Sequence, residues 1–152
     1  MATIEKFEDL EVWKMSMDLC ADVYRLTNTE LFSKDFGLKD QIRRSAVSVP
    51  SNISEGYERD SKNQFVYFLV IAKGSCGELR TQLKIARALN YLKEEEYITI
   101  HEKCISTTKQ LAGFIKYLKQ HQSTKKYSNQ KVKQPICNQQ SVICQSAILN
   151  LN

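Results

Sequence analysis

The sequence predicts an all-α fold, an up-down-up-down bundle of four helices. Apolar residues recur at steps of three and four over four separate stretches, which is the period of an amphipathic helix. Within residues 10–121, no useful run alternates apolar and polar residues at the period of a β-strand. The connections between the four stretches are short, so consecutive helices are expected to run antiparallel.

The first predicted helix covers residues 10–26. Its expected core-facing stripe consists of Leu10, Trp13, Met17, Ala21 and Tyr24. Asp9 precedes this stretch and belongs to the residue types that cap helix N-termini. Residues 27–35 are expected to form a connection.

The second predicted helix covers residues 36–56, with Asp35 as its N-cap. Its expected buried stripe contains Leu38, Ile42, Ala46, Val49 and Ile53. Pro50 lies inside this helix. Because proline lacks a backbone N–H and clashes with the preceding turn, we expect a kink or a break between residues 46 and 50. Gly56 is expected to end the helix, since glycine favours the C-terminal cap.

The third predicted helix has the strongest pattern and a cap at Asp60 or Ser61. Steps of four and three form a heptad seam of Phe65, Leu69, Ala72, Cys76, Leu79, Leu83 and Ala86. The seam is continued by the polar residue Asn90. Gly74 and Gly77 lie mid-helix, where each costs about 1 kcal/mol relative to alanine. We therefore expect another helix to approach the backbone closely there.

The fourth predicted helix covers residues 93–121. Glutamates at residues 94–96 suit the positive end of its dipole, and Lys116 and Lys119 suit the negative end. Its expected inner face consists of Tyr97, Cys104, Thr108, Leu111, Ile115 and Leu118.

The chain is expected to divide into a bundle at residues 1–122 and a basic tail at residues 123–152. The tail has no acidic residue and four lysines, Lys125, Lys126, Lys131 and Lys133. Removing these four from the 22 basic residues leaves 18 against 17 acidic ones, so the net charge of +5 arises mostly from the tail. Polar residues dominate up to position 141, a composition typical of disorder. Residues 142–151 are more apolar and could form a short helix or strand.

The composition points to a cytoplasmic protein without a membrane span. The apolar stretches are too short to cross a bilayer, and residues 1–9 lack the basic start and apolar run of a secretory signal. Five cysteines have neither a disulfide-type spacing nor the close pairs of a zinc site. We expect structural thiols, no metal and no cofactor.

Four blocks carry a resemblance to a known family. They read FEDLEVW at residues 7–13, FGLKDQIRRSA at 36–46, SVPSNISEG at 48–56 and IAKGSCGEL at 71–79. Over residues 5–118 the chain resembles the four-helix-bundle family named for proteins encoded in intervening sequences of bacterial 23S ribosomal RNA genes. The resemblance implies a bacterial homopentamer without established enzymatic activity. The family is similar to the accessory proteins of diversity-generating retroelements, which are pentamers that bind nucleic acid and a reverse transcriptase.

Five cations of the third predicted helix share a narrow sector beside its seam: Lys62, Lys73, Arg80, Lys84 and Arg87. Such a row could follow the phosphates of a nucleic acid. Glu11, Asp18 and Asp22 form a comparable acidic sector on the first helix. We expect the two stripes to face each other, within one subunit or across a subunit interface. Nucleic-acid contact and plain solvation are the alternatives.

A second basic group lies on the second predicted helix and consists of Lys39, Arg43 and Arg44. Arginine can bind either a carboxylate or a phosphate through two hydrogen bonds. Asp40, Glu55 or an acid of a neighbouring subunit is the expected partner, and a phosphate is the alternative.

The sequence carries no enzyme signature. Asn52 and Glu55 are expected to satisfy backbone groups freed near the proline. A catalytic Glu55 would need a partner such as His101 and a pocket, and the spacing does not require that meeting. His101 and His121 are typical of packed or surface histidines. The chain lacks a phosphate-binding glycine loop, a nucleophile elbow and an HExxH motif.

Taken together, these patterns predict a non-enzymatic oligomeric scaffold, a pentamer by resemblance. It is expected to bind RNA, or a nucleic-acid-handling protein such as a reverse transcriptase, through charged rims. The candidate contact residues are Lys39, Arg43, Arg44, Lys73, Arg80, Lys84 and Arg87. Four aromatic side chains could stack on bases, but helical core spacing predicts burial for Trp13, Tyr24, Phe65 and Phe68. The alternative function is a protein–protein adaptor that does not bind nucleic acid and uses its charge stripes in self-assembly.

Overall fold

The computed structural model describes residues 5–120, apart from the side chain of Ser33. A 3-10 helix at Phe7–Asp9 precedes five α-helices: α1 (Glu11–Leu26), α2 (Glu30–Ser33), α3 (Phe36–Glu58), α4 (Lys62–Ala88) and α5 (Glu94–Gln120). These residues contain no strand, so the predicted all-α class is confirmed. The short helix α2 occupies the segment that was expected to be a connection. The predicted tail at 123–152 lies outside the described residues.

The four long helices pack in a ring. Helix α3 lies against α1 and α4, and α5 lies against the same two helices. No Cα atoms of α1 and α4 approach within 8 Å of each other, and the same is true of α3 and α5. Buried apolar side chains of all four helices fill the interior in two clusters, which hold the helices together by removing apolar surface from water. The up-down-up-down order stays a prediction.

The heptad seam of α4 is confirmed, because all seven of its predicted residues are buried. The hydroxyl of Ser61 caps the helix by accepting a hydrogen bond from the backbone N–H of Gln64. The helix ends at Ala88, and Asn90 adopts a left-handed φ of 57°. Asn90 therefore terminates the helix instead of extending the seam, a role that suits asparagine.

The predicted core stripe of the first helix is correct at Leu10, which is fully buried, and wrong along α1 itself. Met17 and Tyr24 are each 43% exposed, Ala21 is exposed and Trp13 is only half-buried. The helix instead buries Val12, Ser16, Leu19 and Val23. Ser16 can lie inside because its hydroxyl donates to the backbone carbonyl of Trp13 at 2.6 Å. The prediction followed the larger apolar side chains of α1, whereas α3 and α5 pack against its other side.

One of the two predicted aspartate caps is correct. Asp35 accepts a hydrogen bond of 2.9 Å from the backbone N–H of Leu38 and so caps α3. Asp9 does not cap α1. Its carboxylate accepts from the backbone N–H groups of Glu5 and Lys6 and closes the turn of the preceding 3-10 helix.

Helix α3 runs without a break through Pro50, so the predicted break is wrong, while a kink stays a prediction. The amide of Asn52 donates to the backbone carbonyl of Ser48 at 2.7 Å and to its hydroxyl at 3.0 Å. The hydroxyls of Ser48 and Ser75 are hydrogen-bonded at 2.8 Å. These bonds tie the proline turn to α4 and stabilise the continuous helix.

The structural roles of Gly56, Gly74 and Gly77 differ from those predicted. Gly56 does not end α3, which continues to Glu58. It is buried against α4, where a Cβ would lie 2.6 Å from the Cβ of Phe68. By contrast, Cβ atoms at Gly74 and Gly77 would meet nothing within 4 Å. Among the described residues, the close helix approach therefore occurs at Gly56 and not at the two glycines of α4.

The inner face of α5 agrees with the prediction except at one step. Tyr97, Cys104, Leu111, Ile115 and Leu118 are buried as expected. Thr108 is only half-buried, and its neighbour Thr107 is buried instead, with its hydroxyl bonded to the carbonyl of Lys103. The structure also adds Ile100 and Phe114 to the buried face.

Three of the cysteines are described, and all are free thiols on helices. Cys76 and Cys104 are fully buried and Cys20 is half-buried. Burial raises the pKa of Cys76 to about 11 and that of Cys104 to about 12. Thiols in such surroundings act as small apolar side chains, as the sequence predicted for these three.

Candidate nucleic-acid interface

Three of the predicted contact residues form a row of unpaired cations on α4, which we call the cation row: Lys73, Arg80 and Lys84. Lys73 and Lys84 are exposed and Arg80 is half-buried. Among residues 5–120, none of the three makes an ion pair or a hydrogen bond. At about 1.5 Å of helix rise per residue, the row extends roughly 16 Å along the surface. Its positive charge is available to an external anion.

Arg87, predicted to belong to the same stripe, is bound within the subunit. Its guanidinium donates two hydrogen bonds of 2.7 Å to the carboxylate of Glu94. It also lies 4.6 Å from the ring centroid of Tyr97, at cation–π distance. Arg87 therefore joins α4 to α5. Lys62, at the other end of the stripe, is half-buried, and this burial lowers its pKa.

The three predicted cations of α3 do not form one site. Arg43 Nε donates to the hydroxyl of the buried Thr27 at 2.8 Å, and its guanidinium lies 4.6 Å from the ring centroid of Tyr24. Arg44 pairs with Asp40 at 3.7 Å, which confirms the salt-bridge interpretation for this residue. Lys39 is half-buried.

The acidic stripe of α1 does not face the basic stripe of α4 within the subunit. Asp22 pairs instead with Arg25 on its own helix and with Lys103 on α5. Helices α1 and α4 lie diagonally across the ring, with α5 between them. The predicted pairing within one subunit is therefore wrong for Asp22, and pairing across a subunit interface stays a prediction.

The exposed ring of Tyr24 corrects another prediction, since this aromatic residue was expected to be buried. Phe65 is buried as expected, whereas Trp13 and Phe68 are half-buried. Tyr24 is covered on one face by the guanidinium of Arg43, which leaves its other parts in contact with solvent. Among residues 5–120, no aromatic ring lies at cation–π distance from the cation row.

The side chains considered for catalysis lie apart. Glu55 on α3 pairs with Arg59 at 2.6 Å, and His101 on α5 stacks on Tyr97 with ring centroids 5.2 Å apart. No Cα atoms of α3 and α5 lie within 8 Å of each other. Within residues 5–120, no group of three histidine, cysteine or carboxylate side chains could hold a metal ion.

A cleft between α1 and α5 was not anticipated from the sequence. It has a volume of about 550 Å³ and is lined by both signs of charge: Asp22 and Arg25 on α1, and Glu95, Glu96 and Lys103 on α5. The run of glutamates at residues 94–96 was the sequence signal nearest to it. Its mixed lining does not match the uniform positive charge that binds phosphates.

None of the helices in the described range is long and apolar enough to cross a membrane. The described residues thus form an all-helical fold with a positively charged row on α4. The chain belongs to the 23S rRNA-intervening sequence protein family, whose sequence profile matches residues 8–113. This match confirms the resemblance carried by the four sequence blocks.

A solved structure supports the same assignment. The chain is similar to a protein with unknown function from the S23 ribosomal protein family of Bacteroides thetaiotaomicron, with 27% sequence identity and a TM-score of 0.64. The similarity covers 69% of this chain and 98% of that chain. No curated protein matches this chain.

Proposed function

We propose that this protein is a cytoplasmic, non-enzymatic scaffold that binds RNA through the cation row of α4. The family name associates its members with the intervening sequence of 23S rRNA. The observation that carries the proposal is that Lys73, Arg80 and Lys84 remain without ion-pair partners among the described residues. The other arginines considered for this role, Arg43, Arg44 and Arg87, have partners in their own subunit.

The proposed interaction is electrostatic and independent of base sequence. Cations that replace the counterions of phosphates release those counterions, so affinity falls as salt rises. Three cations that neutralise three phosphates of a single strand give a slope of about −2 in a plot of log affinity against log salt. Arg80 adds a planar guanidinium that can hold one phosphate through two hydrogen bonds.

Assembly would multiply this weak contact. We propose the homopentamer that the family resemblance implies, in which five copies of the cation row act on one RNA. Binding at a second row is then an intramolecular event with an effective concentration of the order of mM, so avidity exceeds the affinity of one subunit. The same assembly could present RNA to a nucleic-acid-handling protein such as a reverse transcriptase.

The test is a salt titration of binding to a mixed single-stranded RNA pool, with oligomeric mass measured in parallel by light scattering. The test variant replaces Lys73, Arg80 and Lys84 by glutamine. The control replaces Lys109, Lys116 and Lys119, three exposed cations of α5, and so removes the same charge. We expect the test variant to lose at least about tenfold in affinity at low salt and to flatten the salt slope by about 2. Equal losses in the two variants would contradict a site on α4.

A protein–protein adaptor is the second candidate function. Met17 and Tyr24 on α1 are each 43% exposed and lie on the same helix as the exposed Asp18. Such a surface suits an interface between copies in which acids of α1 meet the cation row of the next subunit. This function predicts no salt-dependent RNA binding and a protein partner that co-purifies with the intact assembly. It also predicts a smaller oligomeric mass for the variant in which Lys73, Arg80 and Lys84 are replaced by glutamine.

A further inference from the structure

The outer face of α4 carries a row of apolar and small residues, which we call the outer row: Tyr67, Val70, Gly74, Gly77 and Ile85. Tyr67 is 63% exposed, and Val70 and Ile85 are each nearly half exposed. At about 100° per residue, these five positions share a sector that points away from the heptad seam. The two glycines leave open space for a closely packed neighbour. Apolar surface arranged along one helix face is typical of an interaction site.

The chain contains one segment suited to this surface. Seven of the ten residues at 142–151 are apolar, and none is charged. Ile143, Ala147 and Leu151 follow each other at intervals of four, the spacing that places side chains along one side of a helix. We propose that residues 142–151 pack along the outer row of α4 in the same subunit. This inference concerns a part of the chain beyond the family match at 8–113 and is independent of RNA binding.

The length of the intervening chain permits this contact. Helix α5 ends at Gln120, and the 21 residues at 121–141 can extend at most about 70 Å. Helix α4 has 27 residues and is therefore about 40 Å long, so the segment can reach every position of the outer row. A tether of this kind gives an effective concentration of the order of mM. Docking within the subunit then competes favourably with a second copy at micromolar concentration.

The end of α5 lies beside the start of α4. Phe114 near the end of α5 stacks edge-on against Phe65, and Phe65 does the same against Tyr57. Both signs of charge lie at this end: burial, Asp9 and Glu58 raise the pKa of Tyr57, and Lys116 and Lys119 are exposed on α5. Helix α5 thus ends beside the start of α4, and the chain continues from Gln120 close to the first residue of the outer row.

The same end of the bundle contains the first residue of the outer row. Tyr67 lies one turn after the start of α4, and its ring packs edge-on against Phe68. A chain that continues from Gln120 therefore starts close to Tyr67. Lys73 and Lys84 border the outer row on one side, and an uncharged segment can pack beside them without like-charge repulsion.

Hydroxyl-radical footprinting of the full chain, read residue by residue by mass spectrometry, tests the proposal. The test variant carries Ile143→Asp and Ile148→Asp, which remove the apolar contact. The matched control carries Gln139→Asp and Gln140→Asp, which add the same charge beside the segment. We expect Tyr67 to be oxidised at least about threefold more slowly in the natural chain and the control than in the test variant, as burial of an exposed aromatic ring requires. Tyr24 on α1 serves as an internal reference and should react equally in all three.

Protein concentration separates the possible occupants of the outer row. Docking within the subunit predicts protection of Tyr67 that does not change between about 1 and 100 μM, since it is intramolecular. Protection that persists in the test variant and grows with concentration would mean that a second copy covers the row, and would overturn the proposal. Equal oxidation of Tyr67 in all three proteins would also overturn it. Either result leaves the RNA titration to be judged separately.

Discussion

The guanidinium of Arg87 and the carboxylate of Glu94 form two parallel hydrogen bonds of 2.7 Å across the turn between α4 and α5. The arginine lies in the last turn of one helix and the glutamate in the first turn of the next. Each charge therefore also complements the dipole of its own helix. This pair removes Arg87 from the cations that can bind an external phosphate, although the sequence places it in the same sector as Arg80 and Lys84.

Replacing Arg87 should affect RNA binding much less than replacing Arg80. We expect Arg87→Gln to change RNA affinity less than about twofold, because Arg87 would have to give up its ion pair with Glu94 to bind a phosphate. We expect Arg80→Gln to lower RNA affinity about three- to tenfold, because Arg80 is not bound to a carboxylate. Both variants are measured against the same RNA at the same salt concentration. Arg87→Gln should cost at most about 1 kcal/mol of stability, since both partners are about half exposed. Equal losses of RNA affinity would show that Arg87 leaves Glu94 to contact RNA.

Arg43 should act on stability and not on RNA binding. Its hydrogen bond to Thr27 and its position over Tyr24 connect α3 to the end of α1. We expect Arg43→Gln to lower the free energy of unfolding in urea by about 1–2 kcal/mol. Arg44→Gln is the control, since its exposed pair with Asp40 contributes about 0–1 kcal/mol. A variant at Arg43 with unchanged stability and reduced RNA affinity would contradict this assignment.

The close approach of α3 to α4 should make Gly56 sensitive to a single methyl group. A Cβ there would lie 2.6 Å from the Cβ of Phe68 and 3.4 Å from the Cα of Phe65, and neither atom can move without shifting α4. We expect Gly56→Ala to destabilise the protein by about 1–3 kcal/mol in thermal or urea unfolding.

Gly37 provides the matched control for this substitution. A Cβ at Gly37 would be 3.8 Å from its nearest neighbour, Oδ1 of Asp35, which is an ordinary contact. Gly37→Ala should therefore be neutral or stabilise by up to about 1 kcal/mol, because alanine loses less backbone entropy in a helix. If the two variants unfolded alike, the packing described at Gly56 would be wrong.

Buried thiols should make the protein less stable at alkaline pH. The native pKa of Cys104 is raised from 9.0 to about 12 by burial, so the native state keeps this proton when the unfolded state has lost it. The unfolded state then binds fewer protons, and the free energy of unfolding falls as pH rises from 9.0 towards about 12. This contribution is fully present below the unfolded pKa.

The variant Cys104→Ala isolates this effect. Its stability is expected to be lower at neutral pH, because a buried side chain is truncated. Above about pH 9, however, its unfolding free energy should fall less steeply than that of the natural protein, by up to about 1.4 kcal/mol per pH unit. Urea unfolding at a series of pH values measures both slopes. Parallel curves would show that Cys104 does not titrate differently in the two states.

The regular pattern of α4 made its core face readable from sequence, because large apolar residues at heptad spacing leave only one side to bury. Helix α1 carries two competing stripes, and the larger residues Met17 and Tyr24 lie on the exposed one. The choice between the stripes depends on how closely α3 and α5 approach. Side-chain size within α1 does not contain that information.

The sequence predicted which cations share a sector of α4, but it did not predict which of them lack an ion-pair partner. The sequence by itself determined the all-α class, the seam of α4 and the sector shared by Lys73, Arg80 and Lys84, because helical periodicity is a local property of the chain. Only the tertiary structure decided that Arg87 meets Glu94, that Arg43 meets Thr27 and that α1 lies diagonally across from α4. Ion pairing depends on distances between residues far apart in the chain or across a turn, and packing sets those distances.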